Sequence, residues 1–319
     1  MLHATQRRAP GDAAEDPAEL ELRNHVYASI PAPDAKGFQP MPAPKPGDLP
    51  AAQKESPQTL ERYRLAARFR PTDERRTIVL QPLGPFDAEQ AKLLEDLRDY
   101  AAAFFQLPAR IEKPLPLEVA GSKLYRNVPL GHRHGTYDKQ YDGNALMREI
   151  LIPQLPKDAL LYLGVTMADL YADAASEFAF GVASFTRRVG VYSLCRYYPE
   201  FTEMRRSPGD DVKALRRACK VLNHEAGHML GITHCTFYRC SMNYSISLPE
   251  LDATPVHYCP VCHRKLLWNI GFDPLKRFTA LQEFYATHGM TEESEWIAGR
   301  LQRWQSVVAT ESVRKTQDE

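Results

Sequence analysis

Eighteen consecutive residues, N-H-E-A-G-H-M-L-G-I-T-H-C-T-F-Y-R-C at 223–240, constrain the fold of this chain more than any other stretch. His224 and His228 stand four apart. On a helix that spacing is about 400° of turn, so both imidazoles leave the same face. A third donor from the next helical turn would sit over the second, so the chain has to leave the helix to supply one. Gly231 follows His228 by three residues and His234 follows Gly231 by three. Glycine accepts φ > 0, which ends a helix and turns the chain back. The pattern H-E-x-x-H-x-x-G-x-x-H therefore gathers three ring nitrogens and leaves one coordination position open, the arrangement of a catalytic zinc rather than a structural one. Glu225, next to the first donor, reaches water at that open position without binding the metal, and so reads as the general base.

The same stretch ends in the first half of a second pattern. Cys235-x4-Cys240 is followed, after eighteen residues, by Cys259-x-x-Cys262. Two cysteine pairs joined by a long loop read as a tetrahedral thiolate site, saturated and hence structural. Disulfides, a redox use of Cys259 and Cys262, and replacement of one thiolate by His257 or His263 stay open. Cys195 and Cys219 fall inside strand and helix patterns and read as core. Two zinc ions per chain are expected, one catalytic and one structural.

Composition narrows the partners. Lys plus Arg equals Asp plus Glu, at 40 each, so the global basic field that would favour nucleic acid is absent. The most apolar region, 160–185, is interrupted by Asp169, Asp173 and Glu177, so no membrane span is expected. The N-terminus lacks the apolar core of a secretory signal. A cytoplasmic monomer acting on a peptide or protein is the resulting expectation, with the nucleus left open.

Residues 1–72 form a Pro- and Ala-rich leader, expected to be extended or weakly ordered, with a helix around 58–68. It holds no cysteine, so it cannot silence a metal by thiolate ligation. Residues 73–319 are the expected metal-binding domain, with a core at about 75–270 and terminal helices at about 271–310. Strands are expected at R-T-I-V-L-Q-P-L-G, R-I-E-K-P-L-P-L-E-V-A and A-L-L-Y-L-G-V-T-M, and a hairpin from F-A-F-G-V-A-S-F and V-G-V-Y-S-L-C-R-Y-Y. Helical spacing predicts a helix after Asp87, a short one before Pro153, and a long one from Pro208 to Gly231. The chain then reads as irregular to about Trp268, before two amphipathic helices near 274–287 and 292–309. The fold class is α+β (mixed α/β), with a mixed sheet.

The ordered set His224, Glu225, His228, Gly231, His234, Cys235, Cys240, Met242, Cys259 and Cys262 resembles the archaemetzincins, a branch of the metzincin zinc peptidases. The match is specific over about 40 residues and looser over about 75–270; the leader and terminal helices resemble those of the longer family members. The resemblance implies a zinc cleft between two subdomains, a Met-turn at Met242 beneath the three histidines, and an edge strand at 181–185 that pairs with an extended peptide. It implies a structural zinc on the four cysteines and weak, aminopeptidase-like hydrolysis. Tyr244, two residues after Met242, stands where astacin-like metzincins carry a tyrosine that ligates zinc or stabilises the oxyanion; a packing role is the plainer reading. The alternative function is a two-zinc interaction module with little or no turnover.

Overall fold

A computed structural model describes residues 37–42, 55–128, 137–202 and 204–303. The remainder of the leader and residues 304–309 of the expected last helix lie outside the described residues. In chain order the elements are α1 (Leu60–Ala66), β1 (Thr77–Leu83), α2 (Ala88–Phe105), β2 (Ala109–Ile111), β3 (Tyr125–Asn127), β4 (Lys139–Asp142), α3 (Gly143–Leu146), β5 (Ala159–Thr166), β6 (Asp169–Tyr171), β7 (Gly181–Ala183), β8 (Val189–Ser193), α4 (Asp210–Met229), α5 (Leu248–Ala253), α6 (Pro260–Ile270) and α7 (Pro274–Thr287). Residues 291–303 form one more helix.

The main sheet has the order β2-β1-β5-β8-β7. Its pairings are parallel except the last, β7 against β8, which is antiparallel and leaves β7 at the edge. β5 is buried at every position, because α2 and α4 cover one face of the sheet and α3 with the following turn covers the other. A strand covered on both faces has no reason to alternate, which explains the unbroken apolar run A-L-L-Y-L-G-V. α2 begins at Asp87 through a reciprocal cap with Gln90 and buries Leu93, Leu94, Leu97, Tyr100 and Phe104. α4 has no side-chain cap, but Asp210 and Asp211 in its first turn complement the helix dipole.

Two regions differ from the sequence reading. The stretch up to Trp268 is not irregular throughout: α6 occupies Pro260–Ile270. Cys259 caps it by accepting from the Cys262 backbone N–H, and Pro260 takes the first helical position, where a missing N–H costs nothing. The inward face of α6 carries Lys265 and Asn269 alongside Leu266 and Leu267, so its apolar stripe is interrupted. A second, small sheet with the order β3-β4-β6 has no counterpart in the sequence reading. Its three strands are short and polar, and side chains hold them: Gln140 Nε2 donates to Asp169 Oδ2 at 2.7 Å, and Arg196 grips the same carboxylate twice at 2.7 Å. Of the expected strand at R-I-E-K-P-L-P-L-E-V-A, only Arg110 and Ile111 lie in a strand of the sheet, β2.

Candidate metal centres

The three histidines meet as their spacing requires. α4 carries His224 and His228 on one face and ends in a Schellman turn: Gly231 N–H donates to His228 O at 2.9 Å and Ile232 N–H to Gly227 O at 2.8 Å. Gly231 sits at φ +90°, where a side chain would be strained. The turn brings His234 back, so that one ligand atom from each of the three residues lies within 4.8 Å of the others. Each Nδ1 has an acceptor: Ser241 O at 3.0 Å from His224, Ile232 O at 2.8 Å from His228, and Glu55 Oε1 at 2.5 Å from His234. With Nδ1–H donated outward, the Nε2 lone pairs point inward, and the Nε2 atoms of His224 and His228 stand 2.9 Å apart. Two lone pairs aimed at one point repel unless a cation lies between them. Burial holds His224 down to about 4 and His228 well below its usual value, which keeps both rings neutral and able to ligate. The donor set therefore fits a zinc with an open position.

Glu225 lies beside this point on the same helix, 5% exposed. Burial alone pushes its pKa up to about 8. A cation at the histidines would draw it down again. Two glycines fit the centre closely. A Cβ on Gly181, in edge strand β7, would stand 2.5 Å from Glu225 Oε1, and one on Gly227 would stand 2.4 Å from Met242 Sδ. The first lets the strand lie against the carboxylate. The second lets the fully buried Met242 pack into the helix between the two histidines. The cleft above them has a volume of about 260 Å³. Tyr244 lines it, 37% exposed, with its ring 4.9 Å from that of His234.

The cysteines form the second group. Cys235, Cys240, Cys259 and Cys262 are all buried, each presenting its sulfur to the same point. Cys235 Sγ and Cys259 Sγ are 3.5 Å apart, and none of the six cysteines is in a disulfide. A disulfide needs about 2.05 Å, whereas a tetrahedron with ~2.3 Å metal–sulfur bonds has edges of about 3.8 Å. Neither histidine alternative holds. His257 stacks on Trp296 at 3.7 Å, and His263 stacks on Phe278 at 5.5 Å. Cys195 and Cys219 are buried elsewhere in the core.

Asn243 closes the loop that carries the first two cysteines. Its Nδ2 donates to Cys235 O at 2.8 Å, its Oδ1 accepts from Cys240 N–H at 2.7 Å, and Cys235 N–H donates to Met242 O at 2.8 Å. Sequence reasoning missed Asn243, Gly227 and Glu55, and it placed Gly181 in the edge strand without its close approach to Glu225. The C-x-M-N-Y run held a signal for Asn243, since asparagine often hydrogen-bonds nearby backbone in turns. Nothing local could have found Glu55, which is 179 residues from its partner.

Comparison with known proteins bears on the same residues. The model of peptidase family M54 matches residues 144–267. Rat archaemetzincin-2 is 30% identical over 294 residues, covering 83% of this chain and 79% of that protein. The archaemetzincin of Thermococcus kodakarensis is 31% identical over 195 residues, 61% of this chain and 97% of its own. Among solved structures, archaemetzincin from Archaeoglobus fulgidus, complexed with malonate, aligns with a TM-score of 0.44 and 25% identity over 59% of this chain and 99% of that one. With its three histidines and four cysteines assembled as described, the chain belongs to the archaemetzincin family, peptidase family M54, and is a zinc metallopeptidase.

Proposed function

We propose that the chain hydrolyses a peptide bond of an extended substrate in the three-histidine cleft, with Glu225 as general base, and that it carries two zinc ions. The observation that carries this reading is the convergence of three inward-facing histidine nitrogens beside a buried glutamate that backs onto a sheet edge. His224, His228 and His234 would hold the catalytic metal, and Cys235, Cys240, Cys259 and Cys262 the structural one. When bound, zinc at the histidines supplies Lewis acidity, bringing the pKa of water to about 7 and polarising a carbonyl. Glu225 takes the proton of the attacking water and returns it to the leaving amine nitrogen. The free side of β7 pairs with the substrate backbone and lays the scissile bond across Glu225. The Tyr244 hydroxyl, beside His234, donates to the oxyanion.

The finer reading is aminopeptidase-like cleavage by a cytoplasmic monomer. Besides Glu225, Asp173 is the carboxylate lining the cleft, and it offers a free α-amino group a counter-charge. Four buried free cysteines around one point favour a reducing compartment. Among the described residues no helix is long and apolar enough to cross a membrane.

A peptide library with free and acetylated N-termini, with metal content measured on the same sample, tests the proposal. Chelator-sensitive cleavage with two zincs per chain is expected, restricted to free N-termini. Two zincs without cleavage would point instead to a metal-stabilised binding module.

A further inference from the structure

We propose that Glu55 of the leader is a positioning residue for the metal: its carboxylate accepts the Nδ1–H of His234 and thereby aims the opposite nitrogen at the three-histidine point. The inference rests on the reading that this point binds zinc. It starts from a difference among the three histidines. His224 and His228 sit on α4 and donate to backbone carbonyls only 17 and 4 residues away, so helix and turn fix their rings. His234 lies beyond the helix end, in irregular chain, and its side chain is 20% exposed. Tyr244 packs against the ring, but among the described residues the hydrogen bond to the His234 Nδ1, the contact that sets the tautomer, comes from outside its own segment. Glu55 Oε1, at 2.5 Å from Nδ1, makes that contact. A carboxylate on the outer nitrogen also strengthens the imidazole as a donor more than a neutral carbonyl does.

The leader is anchored well enough to hold Glu55 there. Three residues on, Gln58 straddles the turn: its Nε2 donates to Gly231 O at 2.9 Å, and its Oε1 accepts from Thr233 N–H at 3.2 Å. Lys265 of α6 holds that same Oε1 at 3.0 Å. Tyr63 donates from its hydroxyl to Leu230 O at 3.0 Å. These contacts cover Leu230, Gly231 and Thr233, the residues that swing His234 into place. The leader thus completes the H-E-x-x-H-x-x-G-x-x-H motif from outside it.

Competitive zinc titration of the full chain against a chelator tests this, with zinc on the four cysteines as internal reference. Glu55→Ala is expected to weaken the three-histidine site about 10–100-fold and to leave the cysteine site and the melting temperature unchanged. Glu55→Gln, whose amide oxygen still accepts from Nδ1–H, should recover part of the loss. Glu61→Ala, on the exposed side of α1, should match wild type. Wild-type affinity in Glu55→Ala overturns the proposal, as does an equal loss at both sites, which would mark a general structural role. A wild-type chain that binds zinc at the cysteines alone would overturn the zinc reading of the histidines itself, a different result from either.

Discussion

His234 and Cys235 are neighbours in the chain, yet they serve centres of opposite design. The cysteine centre is closed: four buried sulfurs, all from one 28-residue segment, with α6 capped by one of the four cysteines. The histidine centre is open to a cleft, and its support comes from far apart. β7 lies against Glu225, Ser241 fixes His224, and the leader holds His234. A centre that only binds a metal can be built locally, because four equivalent donors suffice. A centre that also admits a substrate must leave one side empty, so its ligands are braced from the other sides by whatever elements reach them. The closed centre is expected to brace the open one through the His234–Cys235 peptide.

The largest expected effect breaks that brace. Cys259→Ser removes one sulfur from the closed centre but leaves a hydroxyl that still caps α6, so it isolates the metal. Loss of a structural metal belongs to the severe class, about 4 kcal/mol or more. Thermal unfolding should show it, and zinc affinity at the histidines should fall with it because His234 loses its anchor. Unchanged affinity there would show two independent centres.

Glu225→Gln addresses the open centre alone. Removing a general base typically lowers turnover by about 10²–10⁴. Both metals should stay, and the melting temperature should hold or rise, since a buried carboxylate gives way to a neutral side chain of the same shape. Turnover at the wild-type rate would remove Glu225 from the mechanism. A loss of zinc instead of rate would place its role in holding the site.

Gly227→Ala has a smaller effect and a sharper address. The new methyl would enter within 2.4 Å of Met242 Sδ and 2.6 Å of Tyr258 Oη. Overpacking of this kind costs about 1–3 kcal/mol, against about 1 kcal/mol gained from replacing a helical glycine. A net loss in melting temperature with weaker zinc binding at the histidines is expected. A net gain would mean that Met242 and Tyr258 shift freely, and that the floor of the open centre is not tightly packed.

The same asymmetry explains what the sequence disclosed. The three histidines and each pair of cysteines stand at short spacings, because helix pitch and turn geometry bring them together; only the eighteen-residue loop between Cys240 and Cys259 has to be closed by the fold. α2, α4 and β5 were legible for a similar reason: a cap with a periodic stripe, a glycine stop, and an unbroken apolar run. α6 was hidden because Lys265 and Asn269 interrupt its buried face, and both are there to bond leader residues Gln58 and Tyr63. β3, β4 and β6 are polar strands held by Gln140, Asp169 and Arg196, which leave no alternation to read. The braces of the open centre, Gly181 and Glu55, meet their partners only after folding, 44 and 179 residues away.

The smallest expected effect asks whether the leader belongs with the open centre at all. The Tyr63 ring is fully buried against Trp268, with centroids 6.0 Å apart, while its hydroxyl joins two elements: it donates to Leu230 O and accepts from Asn269 Nδ2 at 2.8 Å. Tyr63→Phe keeps the ring and deletes only that link. Asn269 Nδ2 retains Phe69 O at 3.0 Å, so the main deficit is the carbonyl at the end of α4, about 1 kcal/mol. For a domain of this size that is a fall of roughly 2–4 °C. If the leader braces the turn, the fall should come with a small, reproducible weakening of zinc at the histidines and none at the cysteines. If the leader is only a packed arm, the melting temperature will drop and neither metal will notice, because the Leu230–Gly231 turn is then held by its own backbone hydrogen bonds.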